Sequence, residues 1–342
     1  GSLIGKFVSG NPGNSGLGFD DGDTCIDKQF TEGYWSMVTA NSLASSNYNL
    51  ELTANGFTSH TITSVTRLMT RTVGGDWGSD GTHVAAVGNT VYRDGITTLS
   101  AEYGLGDPSD LRASISPDPA ETCEGVGLIL NGNPTGGTGS NSHNWSDVGA
   151  GSLNLTNIVN PTFTNGSAGT YDLTYEVTDG TGCKDSDDIT VTVNALPTAL
   201  ATPSQDTICH SNETYIVLTS DIPGSSFVIE VLYSGSVGGS STVLDGDTIA
   251  QTLTNVTNTY DSVIYKVIPY GPGATNCEGI TDTVVIWVEP TPVVVATPLK
   301  DTICNGDATG ILLTTPTTST NGLEFNYTSA ASDGTIGGNG SG

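Results

Sequence analysis

The sequence predicts an all-β chain built from β-sandwich domains in tandem, and two observations carry this prediction. The phrase from Ala201 to Cys209, ATPSQDTIC, returns from Ala296 to Cys304 as ATPLKDTIC, 95 residues later. This period exceeds the roughly 20 to 50 residues of a solenoid unit and fits one β-sandwich of about 100 residues. Between Gly-rich turns, runs of Val, Ile, Tyr and Thr alternate with polar residues, as half-buried strands do.

The first segment, residues 1–113, precedes the repeats and predicts a separate, jelly-roll-like β-sandwich domain. Its alternating runs are expected to form strands over residues 48–53, 60–68 and 90–93. No part of the segment keeps a helical period over three turns, so no helix is expected there.

Residues 114–194 and 195–290 each predict one complete repeat, and residues 291–342 predict the start of a further, truncated one. Strands are expected over residues 127–132, 171–180, 188–193, 215–218, 227–233, 262–270 and 283–288. The joints between repeats contain Pro197 and Pro292. Because proline fixes φ and removes a ladder donor, these joints are expected to act as semi-rigid spacers.

The charge of the chain restricts its partners. The 342 residues contain 36 acidic and 9 basic side chains, for a formal net charge of −27. Nucleic-acid binding depends on clustered Lys and Arg, so this class of partner is excluded, and anionic membrane surfaces are disfavoured. Cations, sugars and other proteins remain.

No apolar run reaches the 18 residues that a membrane-spanning helix needs, so no span is expected in this sequence. The chain opens with Gly-Ser and stops about 52 residues into a repeat. We therefore expect it to be part of a longer protein whose targeting segments lie outside it.

Each complete repeat begins and nearly ends with a cysteine, which predicts the disulfides Cys123–Cys183 and Cys209–Cys277. The spacing does not fit zinc, and paired cysteines are typical of an oxidising compartment. Cys304 is expected to remain unpaired in this sequence. Cys25 has no obvious partner, and both an upstream partner and a free thiol are open for it.

These residues carry a resemblance. A Tyr-x-Val strand, a cysteine, a Val/Ile-Thr-Val strand and a proline-containing link into Thr-Pro-x-x-Asp-Thr-Ile-Cys resemble the PKD-like Ig repeats of Bacteroidota surface proteins, including gliding-motility adhesins of the SprB type. The resemblance covers residues 114–342, although the PKD hallmark Trp-Asp-Phe-Gly-Asp is absent. It implies export by type IX secretion, a cell-surface, adhesive or filament-forming role, and no catalysis.

Clustered carboxylates are candidate ligands for Ca²⁺, which prefers six to eight oxygen ligands. The candidates are Asp20, Asp21, Asp23, Asp185, Asp187 and Asp188. None of these clusters matches an EF-hand loop, and a solvated acidic turn is the favoured interpretation of each. No other cofactor is expected.

A candidate modification motif is Asp followed by Ser or Thr and an apolar residue, which resembles the O-glycosylation sequon of Bacteroidota. It marks Thr207, Thr248, Ser262, Thr283 and Thr302. The alternative is that Asp-Thr only opens a strand after a turn.

Catalytic signals are weak, because His60, His83, His143 and His210 lie in separate contexts and no Gly-x-Ser-x-Gly elbow occurs. Trp35, Trp77 and Trp145 are either sugar-stacking platforms or core residues.

The sequence thus favours a non-catalytic segment of an exported bacterial adhesin or stalk, whose partners are copies of itself, other surface proteins or polysaccharides. Two alternatives remain open. One is a subunit of an extracellular filament that pairs through residues 291–296, and the other is a carbohydrate-binding module of a secreted hydrolase.

Overall fold

The structure, a computed structural model, describes residues 1–147, 152–240, 243–245 and 247–330. Every regular element in these residues is a β-strand, 29 in number, which confirms the predicted all-β class of tandem sandwiches. The chain divides into two compact units, Gly1–Val193 and Asn194–Gly342. In the described part, no helix is long and apolar enough to cross a membrane. The boundaries predicted at residues 113 and 290 stay predictions.

The first domain contains nine strands: β1 (Ser2–Ser9), β2 (Phe19–Asp20), β3 (Cys25–Gln29), β4 (Gly33–Ala40), β5 (Tyr48–Thr53), β6 (Arg67–Arg71), β7 (Thr82–Val87), β8 (Thr90–Ile96) and β9 (Ala101–Pro108). One sheet has the order β1-β4-β9-β3-β2, with β6 also paired to β9, and the other has the order β5-β8-β7. Strand β9 has neighbours on both edges, and its residues 101–106 are all buried.

The second domain contains eight strands: β10 (Ile115–Ser116), β11 (Ala120–Cys123), β12 (Leu128–Ile129), β13 (Asn131–Gly132), β14 (Ser142–Asp147), β15 (Thr162–Phe163), β16 (Gly169–Thr178) and β17 (Lys184–Asn194). Its main sheet has the order β11-β17-β16-β14, and β10 pairs with β13 while β12 pairs with β15. The buried Trp145, Phe163 and Tyr175 fill the space between the sheets.

The third domain contains ten strands: β18 (Ala199–Thr202), β19 (Gln205–Cys209), β20 (Ile216–Ser220), β21 (Ser226–Tyr233), β22 (Val237–Gly239), β23 (Val243–Asp245), β24 (Thr248–Ala250), β25 (Leu253–Asn255), β26 (Asp261–Tyr270) and β27 (Asp282–Glu289). Its two four-stranded sheets have the orders β18-β20-β24-β23 and β19-β27-β26-β21. The alternating strands β26 and β27 direct Val263, Tyr265 and Ile286 into the core between the two sheets.

The repeated phrase crosses from one sheet of the third domain to the other. Its first half, β18, pairs antiparallel with β20, and its second half, β19, pairs parallel with β27. Pro203 lies between the two halves. Because proline has no N–H to donate, it ends the first ladder, and the chain continues on the opposite sheet.

The last segment forms only β28 (Val295–Thr297) and β29 (Leu312–Thr314), which pair antiparallel as β18 and β20 do. Its second half-phrase, Asp301 to Cys304, has no strand assignment, unlike β19 in the complete repeat.

Two predicted strands differ from the structure. Residues 60–66 form a loop, and the strand predicted over 60–68 begins only at Arg67, because the alternation of Thr and Ile there is not matched by a neighbouring strand. The strand predicted over 127–132 is divided into β12 and β13, which pair with different partners. In both places the extent of a strand depends on pairing partners that lie far away in sequence.

Candidate functional site

The most specific arrangement in the structure is the junction between the first and second domains, within the unit Gly1–Val193. Cys25, the first residue of β3, forms a disulfide with Cys183 in the turn before β17, and their Cα atoms are 5.7 Å apart. The bond joins cysteines 158 residues apart. In the chain-entropy account, closing a loop of this length stabilises the folded state by about 5 kcal/mol. The two domains are therefore covalently linked beyond their peptide connection.

A buried carboxylate lies next to this disulfide and contacts both domains. Asp27 Oδ2 accepts hydrogen bonds from Ser109 Oγ at 3.0 Å and from Thr138 Oγ1 at 3.1 Å. Its other oxygen has no hydrogen-bond partner, and the residue is 1% exposed. Burial raises the pKa of Asp27, and the neighbouring carboxyl of Asp179 raises it further, against the opposing effect of the two hydroxyls. The surroundings of Asp27 therefore disfavour its ionised form relative to an exposed aspartate.

Asp179 shapes the turn that presents Cys183. Its Oδ1 accepts hydrogen bonds from the backbone N–H groups of Thr181, Gly182 and Cys183 at 2.9 to 3.0 Å. Its Oδ2 accepts the N–H of Thr138 at 2.9 Å. Burial acts to raise the pKa of Asp179, but these donors outweigh it and hold the pKa below its ordinary value. An ionised Asp179 thus fixes the position of the cysteine.

Further contacts complete the junction on its exposed side. Lys28 Nζ lies 2.7 Å from Asp110 Oδ2, and Asp110 Oδ1 accepts the N–H of Gly137 at 2.9 Å. The hydrogen bond from Lys28 is the main reason that the pKa of Asp110 is lowered. Because the ion pair is exposed, we assign it little stability and treat it as an orienting contact.

The predicted calcium ligands of the second domain accept hydrogen bonds from within that domain through their carboxylate oxygens. Asp185 Oδ2 accepts the N–H of Ala113 at 2.7 Å, and Asp187 Oδ2 accepts the N–H of Ile115 at 2.9 Å. Asp188 lies on the other side of β17 and accepts the hydroxyl of Thr174 at 2.6 Å. These carboxylates therefore attach the opening segment of the domain to its final strand.

The predicted calcium site of the first domain loses a central ligand. Asp21 is buried, and its two oxygens accept hydrogen bonds from Arg93 at 2.6 and 2.9 Å, with Arg67 at 3.4 Å. Asp20 and Asp23 are exposed. Within the described ranges, no three His, Cys, Asp or Glu side chains come together in a group suited to a metal ion. Binding of Ca²⁺ by the remaining exposed carboxylates stays a prediction.

The predicted disulfide pairs within the repeats are wrong. Cys183 is bonded to Cys25, and Cys209 is a free, exposed thiol, as is Cys304. Cys123 and Cys277 are both disulfide-bonded. The register explains why Cys209 and Cys277 do not pair: Cys209 lies opposite Glu289 at the end of β27, whereas Cys277 precedes its first residue. The length of β27 places the two cysteines more than roughly 20 Å apart, at the usual rise per strand residue. A disulfide needs Cα atoms within about 7 Å.

Four of the five glycosylation candidates share one local geometry. Asp206, Asp261, Asp282 and Asp301 each accept the N–H of the following Thr or Ser through Oδ1, at 2.7 to 2.8 Å. Thr207, Thr283 and Thr302 are exposed, whereas Thr248 and Ser262 are half-buried. Modification of these hydroxyls stays a prediction, and the three exposed ones are the accessible set.

The tryptophans proposed as sugar platforms are mainly structural. Trp77 is 3% exposed, donates its indole N–H to Gly13 O at 2.8 Å and lies beneath the guanidinium of Arg71. Trp145 is buried and donates to Ile158 O at 2.9 Å. Trp35 is half-buried against Phe7 and Phe57. The carbohydrate-binding alternative therefore loses Trp77 and Trp145 as exposed stacking platforms.

Sequence reasoning missed the Cys25–Cys183 bond because it paired cysteines within repeats. A signal was available: Cys25 was left without a partner, and the cysteines of each repeat sit near its two ends. The buried Asp27 and Asp179 gave no signal, because a chain with 36 acidic residues offers many equivalent candidates.

Comparison with protein families finds a match for one segment of the chain. The PKD-like domain family matches residues 206–292, which run from β19 through β27 to the joint after it. The third domain is therefore PKD-like. A comparison with curated proteins finds no matching sequence.

Comparison with solved structures finds matches of low identity and low TM-score. The fibronectin(III)-like modules of Clostridium thermocellum CbhA are 15% identical, with a TM-score of 0.27, over 56% of this chain and 100% of that one. Human CDH23 EC21-23 is 11% identical, with a TM-score of 0.27, over 60% and 80%. The D00-D0 domain of Intimin is 12% identical, with a TM-score of 0.26, over 51% and 98%.

Proposed function

We propose that this chain is a non-catalytic structural segment of an exported bacterial surface adhesin or stalk, which extends and presents binding surface. The observation that carries the proposal is the junction between the first two domains, where the Cys25–Cys183 disulfide and the hydrogen bond from Thr138 to Asp27 join them. A flexible linker would suffice for domains that act independently. A covalent junction suits domains whose relative position matters.

The chemistry of the cysteines supports an extracellular location. Disulfides persist in oxidising compartments and are rare in the cytosol. The PKD-like match and the large negative charge are consistent with a protein that works outside the cell. A gliding-motility adhesin exported by type IX secretion is the specific form of this proposal, and it rests on the resemblance of the repeats.

The described contacts of three histidines support the absence of catalysis. His60 stacks on Phe30, His143 bonds the hydroxyl of Tyr175 at 2.8 Å, and His210 accepts the N–H of Asn255 at 3.0 Å. Each of these rings is engaged in packing or a structural hydrogen bond.

A filament subunit is the second candidate, and one observation favours it. Three consecutive valines are exposed: Val293 by 43%, Val294 by 56% and Val295 by 43%. Of these, only Val295 belongs to a strand, β28. Exposed apolar strand segments are common sites of pairing between chains.

Negative-stain electron microscopy of the full-length native protein tests both candidates. Separate strings one chain thick are expected for a stalk. Regular filaments with an axial repeat would contradict the stalk and support the subunit, and a Val294→Lys variant should then abolish them while leaving single strings unchanged.

A further inference from the structure

The two cysteines of the third domain lie at its opposite ends. Cys277 lies in the turn before β27, where Gly271 donates to its carbonyl at 2.8 Å. Ile280, just after this turn, donates to Pro197 O at 2.7 Å, so the turn marks the upstream end, where the chain enters the domain. Cys209 lies opposite Glu289 and marks the downstream end, where the chain leaves through Pro290.

The second domain shows how an upstream-end cysteine is used. Cys183 occupies the turn before β17, the position that Cys277 occupies before β27. It bonds Cys25, which belongs to the preceding domain. The Cys25–Cys183 bond therefore joins an upstream-end cysteine to a cysteine of the domain before it.

The downstream-end position is suited to the same chemistry. Cys123, Cys209 and Cys304 occupy equivalent places in the three copies of the opening phrase. Cys123 is disulfide-bonded, whereas Cys209 and Cys304 are exposed thiols. One position in the repeat thus forms a disulfide in one copy and presents a thiol in two.

The surroundings of Cys209 orient it outward and downstream. Ile208 packs against the core, so the next residue along β19 points to the opposite side of the strand. Cys209 lines a cavity of about 300 Å³ together with Glu289, Pro290 and, from the segment that follows, Thr317. The thiol is therefore presented where the third domain contacts the chain that follows it.

We propose that Cys209 is a cross-linking site that forms a disulfide with the upstream-end cysteine of another PKD-like repeat, and that Cys304 has the same role. The inference deepens the proposed function, on which it rests for the presence of such repeats. Two thiols lose two protons and two electrons and form one S–S bond. A disulfide oxidant, such as oxidised glutathione, takes up the electrons and is reduced to two thiols.

The test uses the full-length protein from the cells that make it, alkylated with N-ethylmaleimide before lysis and digested without reduction. Mass spectrometry should recover Cys209 in a disulfide-linked pair whose second peptide carries a cysteine just before an alternating Val/Ile strand. Cys209→Ser should remove this pair and leave Cys25–Cys183 intact. Non-reducing electrophoresis separates the two sources of the partner: unchanged mass means a repeat in the same polypeptide, and doubled mass means a second copy.

A matched control moves the thiol along the strand. The double variant Cys209→Ser, Thr207→Cys keeps a cysteine on the same side of β19, about 7 Å from the native position. It should be recovered alkylated. The proposal is wrong if wild-type Cys209 is recovered alkylated, bound to a small thiol or bonded to Cys277, or if the moved thiol cross-links equally. None of these results affects the electron-microscopic test, so the stalk proposal stands or falls separately.

Discussion

Arg93 and Asp21 form a buried, bidentate ion pair that links β8 to the turn after β2. Their hydrogen bonds measure 2.6 and 2.9 Å, and Arg93 is completely buried. The remaining guanidinium donors reach the carbonyls of Leu68, Asp80 and Gly81. Because all five guanidinium N–H groups of Arg93 are hydrogen-bonded, its charge is tolerated inside the domain, and removal of Asp21 leaves that charge without its carboxylate partner.

Asp21→Ala should therefore lower the free energy of unfolding of the first domain by about 3 to 5 kcal/mol. The measurement is urea unfolding followed by circular dichroism. Lys6→Ala, at an exposed position of β1, is the control and should change the free energy by less than about 0.5 kcal/mol. Equal effects of the two variants would contradict the assigned role.

The junction disulfide should contribute to stability. The double variant Cys25→Ser, Cys183→Ser is expected to lose about 2 to 5 kcal/mol and to become sensitive to proteolysis near Ser109. Limited proteolysis and thermal melting measure both effects. Lys6→Ala, at an exposed position of β1, is the control and should melt like the wild type.

The junction should also respond to pH through Asp27. Its pKa is raised in the folded state, so its contribution to stability is fully present below the ordinary Asp pKa and is lost as the pH rises through the raised value. Asp27→Asn mimics the protonated form and keeps an acceptor for Ser109 and Thr138. This variant should be more stable than the wild type at neutral pH, and the difference should shrink towards pH 3. A difference that grows on acidification would reverse the assignment.

Glycosylation is expected at the exposed candidates first. Peptide mass spectrometry of the native protein should find hexose additions at Thr207, Thr283 and Thr302 before Thr248 or Ser262. Thr219 is an exposed threonine without a preceding Asp and should be unmodified. Unmodified peptides at all five candidates would end the hypothesis.

Calcium should raise the melting temperature, because it would relieve repulsion in a chain of charge −27. Melts in calcium and in chelator compare the two states. Asp20→Asn should weaken the response, since Asp20 is an exposed carboxylate, whereas identical melts would remove calcium from consideration.

Sequence periodicity predicted the class of the fold because alternation reports burial along a single strand. Thus the strand predicted over residues 48–53 is β5, and the strand predicted over residues 262–270 is β26. Pairing partners were less accessible: the Cys25–Cys183 bond spans 158 residues, and nothing local in either segment specifies the other. The ion pairs of Asp21 were inaccessible to sequence analysis for the same reason, since Arg93 and Arg67 approach it only after folding.

The parallel pairing of β19 with β27 has a consequence for a chain held at both ends. These are strands near the beginning and the end of the third domain, and five residue pairs join them, from Gln205 with Val285 to Cys209 with Glu289. Opposite forces on the two ends load these hydrogen bonds in shear, along the strand axes. All of them must then yield together, whereas a pulled hairpin opens one pair at a time. The third domain is thus arranged to withstand tension until a single cooperative rupture.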